Sequence, residues 1–330
     1  MEATTIDLVT VADRLVRVHL GVRPGEEVLL VADPESELGM AYALAGAVQA
    51  AGGEYTLALM PSRLERRATE LTRVLERGLA GADVLVGLTR ASGAPTYARP
   101  VAEALQAGRL RALSMVMRPL HNWTRGAATA DYEALDALGR GAAATWAAAD
   151  ALHVASAAGT DFRAGVTKEP VMGQVVIVEC GIARQPGREA AFSDGEVSQR
   201  PRAGSARGHL VVDGPMARLG AGDRIELDVE DGKVVRVTGG DRARHLEQLL
   251  QVVPGLDHVA EVGIGVNASA LRNGDFEEEK KAEGNVHVAL GDDVFYGGDH
   301  TCALHLDMVI RAPDVTLDDR PFVSKGRLVR

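Results

Sequence analysis

Two cysteines in 330 residues, Cys180 and Cys302, are too few for a disulfide framework or a cysteine-built zinc site. Both lie in apolar runs and read as buried free thiols. Basic residues are also in deficit, with 36 Lys plus Arg against 46 Asp plus Glu and a net charge of −10. With no basic cluster interleaved with aromatics, that balance excludes a general nucleic-acid surface. No apolar run approaches the roughly 20 residues of a membrane span. The opening stretch, MEATTIDLVTVADRLVRVHLGV, lacks the basic start and continuous apolar core of a secretory signal. It reads instead as an amphipathic helix, with Ile6, Val9, Ala12, Leu15, Val16 and His19 near one stripe. Nucleotide loops are missing as well: the first strand is followed by ADPESELGM, without G-x-G-x-x-G, and no G-x-x-x-x-G-K-[ST] occurs anywhere. The expectation is a soluble cytoplasmic protein with no nucleic-acid or membrane partner.

What is there is ordinary for a globular chain, 46% hydrophobic and 25% charged, and long enough for two domains. The first half alternates strand and helix signals. EEVLLVAD (26–33), EYTLALMP (54–61), ADVLVGLT (82–89) and RLRALSMVM (109–117) read as strands. GMAYALAGAVQAAGG (39–53), LERRATELTRVLERGLAG (64–81), PVAEALQAG (100–108) and 131–149 read as helices, and ALHVASAAG (151–159) as a last strand. This spacing predicts an α/β domain with a mostly parallel sheet over residues 1–165, a scaffold or substrate wall. Beyond it, glycines, β-branched residues and short strands predict an α+β domain rich in antiparallel sheet over 166–330. Its clearest hairpin is DRIELDVEDGKVVRVTGG (223–240), turning at EDGK. The densest charge run, EEEKKAE (277–283), reads as a solvated loop or helix turn.

Three strands of the second half share one pattern. In TCALHLDMVI (301–310), Leu304, Leu306, Met308 and Ile310 alternate with His305 and Asp307. In HVAEVGIGVN (258–267), Val262, Ile264 and Val266 alternate with Glu261, Gly263, Gly265 and Asn267; in GNVHVALG (284–291), Val286, Val288 and Leu290 alternate with His287 and Ala289. With a side-chain period of two, each strand has one aliphatic face and one face of small residues carrying a metal-capable group. A buried carboxylate needs a cation or dense donors beside it. Glycine and alanine beside Glu261 and His287 leave volume that an ordinary core fills. Two imidazoles with two carboxylates suit a divalent transition metal rather than calcium.

AEVGIGVN, EGNVHVALGDD and HLDMVIRAPDVTLDD, preceded in order by RPGEEVLLVAD, AAGTD (157–161) and FSDGEVSQRPRAGSARGHLVVDG (192–214), resemble the thermophilic metallo-aminopeptidase family, peptidase family M29. The resemblance implies two adjacent divalent ions, Zn, Mn or Co, held by Glu196, Glu261, His287, His305 and Asp307. It further implies a homodimer that cuts a small peptide or amide with metal-activated water, Glu196 and Glu261 serving in catalysis. The family's active-site tyrosine falls by count on Val294; either the loop shifts register and Tyr296, two residues on, substitutes for it, or this chain lacks the group. The chain also resembles the 2,5-dihydroxypyridine ring-cleaving dioxygenases, which use one Fe(II) held by two histidines and an aspartate. His305 and Asp307 match their H-x-D pair. Their other histidine falls on the strand where this chain has Glu261, while His287 can complete a two-histidine, one-carboxylate set. That alternative implies a hydroxypyridine or aminophenol-like substrate. RPLHNWTRG (118–126), with His121, Trp123 and Arg125, reads as a pocket wall, and His300 in GGDHTC as substrate-facing. His258 reads as an orienting partner of the ligands.

Overall fold

A computed structural model describes residues 4–63, 70–90, 94–115, 120–171 and 173–329. Five helix or strand segments of the first half follow the expected alternation: α1 (Thr5–Arg14), β1 (Glu27–Ala32), α2 (Leu38–Ala50), β2 (Glu54–Leu59) and α3 (Arg73–Gly78). β3 (Val84–Gly87), α4 (Arg99–Gln106), β4 (Arg111–Ser114) and α5 (Tyr132–Ala148) come next. Part of the helix expected over 64–81 lies outside the described residues. Thr4 caps α1 by accepting from the Asp7 amide, and Asp7 returns the bond to the Thr4 amide. The helix continues as a π-helical turn that buries His19. In α2, Met40, Leu44 and Val48, with Ala41 and Ala45, form the buried stripe, and Gly52, in the left-handed region, ends the run.

The chain forms two compact units, 1–133 with 180–194 and 134–179 with 195–330. The first unit holds a five-stranded parallel sheet in the order β2-β1-β3-β4-β8, where β8 is Glu189–Ala191. Leu29, Val31 and Leu85 face one core with Val101 and Leu105 of α4, while Val28 and Leu30, pointing the other way, are equally buried. Burial on both faces is what makes these strands continuous apolar runs.

The second unit contains two antiparallel sheets. The larger comprises β5 (Ala151–Ala155), β6 (Asp161–Gly165), β10 (Arg207–Val212), β11 (Ile225–Glu230), β12 (Lys233–Gly239), β16 (Asp314–Leu317), β17 (Arg320–Ser324) and β18 (Arg327–Leu328). α6 (Asp241–Val252) lies against β11 and β12. Asp231 and Gly232 both take positive φ in the β11–β12 turn, as EDGK requires. The smaller sheet runs β15-β14-β13-β9-β7. Its strands are β7 (Ile177–Glu179), β9 (Glu196–Gln199), β13 (Val259–Gly265), β14 (Val286–Gly291) and β15 (His305–Ile310), with α7 (Phe276–Lys281) between β13 and β14.

An α/β region with a parallel sheet and an α+β region of antiparallel sheets are therefore both present, but the boundary differs from residue 165. β5 and β6 pair antiparallel with each other, and β5 with β16, so 151–165 belongs to the second unit. The alternating exposure of β5 is the pattern of a half-solvated antiparallel strand rather than of a buried parallel one. Conversely, 180–194 returns to add β8 beside β4. Cys180 is buried, whereas Cys302 is only partly so, because 301–304 is a loop and not strand. Among the described residues no helix is long and apolar enough to cross a membrane.

Candidate metal centre

The register of the smaller sheet decides which side chains meet. Glu261 lies opposite Ala289, which lies opposite Asp307; Gly263 lies opposite His287; Gly291 lies opposite His305. On the other side of β13, Gly265 pairs with Glu196 and Gly263 with Ser198, and Glu196 in turn pairs with Glu179. Directly opposed residues share a face. One face thus gathers Glu179, Glu196, Ser198, Glu261, His287, His305 and Asp307, while Val197, Val262, Ile264, Val288, Leu306 and Met308 line the other. An irregularity between Val259 and Glu261 puts Val259 opposite Leu290 on the aliphatic side, while Glu261 to Ile264 pair with β14 in unbroken register.

All five expected metal ligands converge. Ligand atoms of Glu196, Glu261 and His287 lie within 4.8 Å of one another, and so do those of Glu261, His305 and Asp307. Glu261, fully buried, is shared: its Oε1 accepts from His287 Nε2 at 2.9 Å and its Oε2 from His305 Nε2 at 2.9 Å. His305 Nδ1 donates to the Asp292 carbonyl at 2.7 Å, so its other nitrogen is aimed at the carboxylates. With both ring nitrogens facing acceptors, the ring is an imidazolium. Burial pulls its pKa down, but the Glu261 bond and the nearby Asp307 outweigh that and raise it to about 9. The room left by Gly263 is taken by His287 itself, because a Cβ there would fall on the imidazole. Nitrogen and carboxylate donors paired in this way fit a divalent transition ion.

Two lysines that the sequence reading assigned to a solvated run enter the same face. Lys280 Nζ lies 3.4 Å from Glu196 Oε1 and 3.2 Å from Asp307 Oδ1, and Lys281 Nζ lies 2.8 Å from Glu196 Oε2. EEEKKAE is largely buried: Glu278, Glu279, Lys281 and Glu283 are all inside. Asp275 caps α7 at the Glu277 and Glu278 amides, and the Arg311 guanidinium clamps Glu279 through two bonds of 2.6 and 2.7 Å. Gly265 admits the end of α7, since a side chain there would strike the Lys281–Ala282 backbone. The available signal was the mixed-sign run standing directly before the GNVHVALG strand.

Burial alone would push the Glu196 carboxyl up, but Lys280, Lys281 and His287 hold it below the usual carboxylate range. Glu261 behaves alike, with Lys280 and His287 outweighing its burial. Burial would lower the Lys280 ammonium, yet Asp307, Glu196, Glu261 and Glu179 raise it well above its ordinary value. Tyr296 is buried, 3.1 Å from Ser198 Oγ, with its ring stacked near His305. Burial and the carboxylates push its phenol well up, so it keeps its proton. Val294, at the counted tyrosine position, is 49% exposed; the 3-10 turn Val294–Tyr296 turns one side chain out and the other in.

The remaining candidates are His300, His258, His121, Trp123 and Arg125. His300 donates through Nε2 to the Gly255 carbonyl at 2.7 Å, and its ring lies tilted against that of His258 with centroids 4.2 Å apart, so it pins a loop. His258 bonds Asp293 at 3.0 Å and not a ligand side chain. Asp293 also accepts from the His300 amide, which braces the loop that presents the Asp292 carbonyl to His305. His121, Trp123 and Arg125 belong to the first unit, Trp123 buried and the other two exposed; Arg118 and Pro119, which precede them, lie outside the described residues.

The chain matches the model of the NicX family, described as 2,5-dihydroxypyridine 5,6-dioxygenase, over residues 15–330. A 2,5-dihydroxypyridine 5,6-dioxygenase from Pseudomonas putida KT2440 is 29% identical over 197 residues, a stretch spanning 55% of this chain and 55% of that protein. The match thus covers about half the length of that relative. Among solved structures, 2,5-dihydroxypyridine dioxygenase from Pseudomonas putida KT2440 is similar with a TM-score of 0.83 at 22% identity, over 99% of this chain and 98% of that one. AmpT from Thermus thermophilus is similar with a TM-score of 0.69 at 19% identity, over 99% and 100%. At these identities the two structures establish the fold.

Proposed function

We propose, since the chain belongs to the 2,5-dihydroxypyridine 5,6-dioxygenase family, that it is a metal-dependent dioxygenase opening the ring of a hydroxypyridine or aminophenol-like compound. The observation that carries this reading is the meeting of Glu261, His305 and Asp307 on one sheet face in a chain that matches the family almost throughout. The family is therefore that of the alternative raised from sequence, and the aminopeptidase reading becomes second. Glu261, His305 and Asp307 would hold a ferrous ion, which would supply the chemistry of dioxygen activation. Glu261 holds both imidazoles, and the Asp292 carbonyl fixes the tautomer of His305. Tyr296, kept protonated, offers a hydroxyl beside the ligands for a substrate oxygen. A small-molecule substrate, a homodimer and a cytoplasmic location belong to the same proposal.

A hydrolase reading keeps one specific support: Glu196, Glu261, His287, His305 and Asp307 are all present and adjacent, the set that the aminopeptidase resemblance implies for two ions. The two readings part in one experiment. Protein loaded anaerobically with Fe(II) should take up dioxygen when given 2,5-dihydroxypyridine, with loss of the ring absorbance. An iron-loaded sample inert to hydroxypyridines and aminophenols, alongside amide cleavage by the Zn, Mn or Co form, overturns the dioxygenase reading.

A further inference from the structure

We infer that Lys280 is a built-in cation standing in for a second metal, so that this five-donor face takes one divalent ion, at Glu261, His305 and Asp307. The inference rests on the dioxygenase reading of the site, which already implies one ion, and adds the residue that excludes a second.

Three observations carry it. Lys280 Nζ reaches one carboxylate from each group of donors, Glu196 at 3.4 Å and Asp307 at 3.2 Å, and Lys281 Nζ meets the other oxygen of Glu196 at 2.8 Å. Both Glu196 oxygens thus face an ammonium, and an ion at Glu196, Glu261 and His287 would lie against them. Neither lysine can readily swing away. Their side chains are 13% and 4% exposed, and α7 is tied down at both ends by the Asp275 cap and by the Asn267 amide bond to the Lys281 carbonyl at 3.0 Å. The second observation is charge. Glu179, Glu196, Glu261 and Asp307 face two ammonium groups; once His305 gives up its proton to the ion, one dication brings this largely buried set to balance, and a second leaves positive charge in excess, which burial makes costly.

The third is the unequal support of the two imidazoles. His305 Nδ1 is anchored on the Asp292 carbonyl, the arrangement that orients a metal-binding histidine, whereas His287 Nδ1 is buried with no hydrogen-bond partner among the described residues. Asp307 still has lone pairs for an ion while Oδ1 faces Lys280. His287 then acts through Glu261, positioning that carboxylate instead of binding an ion.

The test is ion stoichiometry rather than turnover. Metal-free wild-type chain equilibrated with excess Co(II), desalted and analysed for metal should retain one ion per chain, with the electron paramagnetic resonance signal of an isolated high-spin centre. Lys280→Met should gain a second ion, and spin coupling between the two should reduce the signal per ion. Lys280→Gln serves as a second variant, with circular dichroism melts reporting that each is folded. Two ions in the wild type overturn the inference and leave the metal reading standing, as do folded Lys280 variants that still retain one. A wild type that retains none removes the metal reading itself and the inference with it.

Discussion

Each unit contains a five-stranded sheet, and the two are put to opposite uses. In the parallel sheet of the first unit, Leu29, Val31 and Leu85 fill one side and Val28 and Leu30 the other, so both faces are given to packing. In the smaller antiparallel sheet of the second unit one face is equally aliphatic, but the other holds four carboxylates and two imidazoles beside two lysines. The strand count is the same. What differs is that the second sheet buries charges, which is tolerable only because each is matched by register to an opposite charge or donor. A sheet whose polar groups must find partners is specified far more tightly than one filled by interchangeable aliphatics.

That contrast can be broken most sharply at Glu261. Glu261→Ala removes the residue shared by both donor groups and should lower affinity for a divalent ion by about 100-fold or more, beyond what loss of an orienting partner costs; calorimetric titration of the metal-free protein measures it. In the parallel sheet the matching change is Leu85→Ala. It should destabilise the protein by roughly 2–5 kcal/mol in thermal or denaturant unfolding, yet leave ions bound per chain unchanged. A loss of metal in that variant would show the two sheets to be coupled. Gly263→Ala places a methyl group on the His287 imidazole and should cost about 1–3 kcal/mol through overpacking, with weakened ion binding besides. Arg311→Met strips the partner from buried Glu279. Breaking such a pair costs about 3–5 kcal/mol when fully buried, and about half of that is expected here because the Arg311 side chain is 38% exposed.

A pH dependence sharpens the comparison further. In the metal-free protein the His305 pKa is raised to about 9 from the ordinary 6.5, so the folded state holds this proton more tightly than the unfolded one. Its contribution to stability is complete below pH 6.5 and is lost as the pH rises to about 9, so the melting temperature of the metal-free protein should fall across that window. Metal affinity should move the other way, rising with pH as the proton leaves His305 Nε2. A His305→Gln variant should flatten the first profile.

Much of the centre was legible because strand periodicity is a local property. His305 and Asp307 on one side of LHLDMVI, Glu261 and Gly263 on one side of AEVGIG, and His287 in VHVALG each follow from a period of two. The phase of one strand against another is not local, and the register that aligns Glu261 with Ala289 and Asp307 is invisible in any single segment. The lysines were missed for a similar reason. A run of alternating charge looks solvated unless its partners are known, and those of Glu279 and Lys280 are Arg311 and Asp307, about thirty residues away in sequence. The return of 180–194 to the first unit was missed because β8, only three residues long, carries no signal of the sheet it joins.

Which residues can bind a metal, and which side of its strand each occupies, is written in the chain, because chirality and the pleat impose that alternation on any extended segment. Whether those sides face one another, and whether an ammonium or a second ion lies between them, depends on pairing across tens of residues and on where α7 is docked. Folding alone settles those matters, since a buried charge has no stable position until its distant partner arrives.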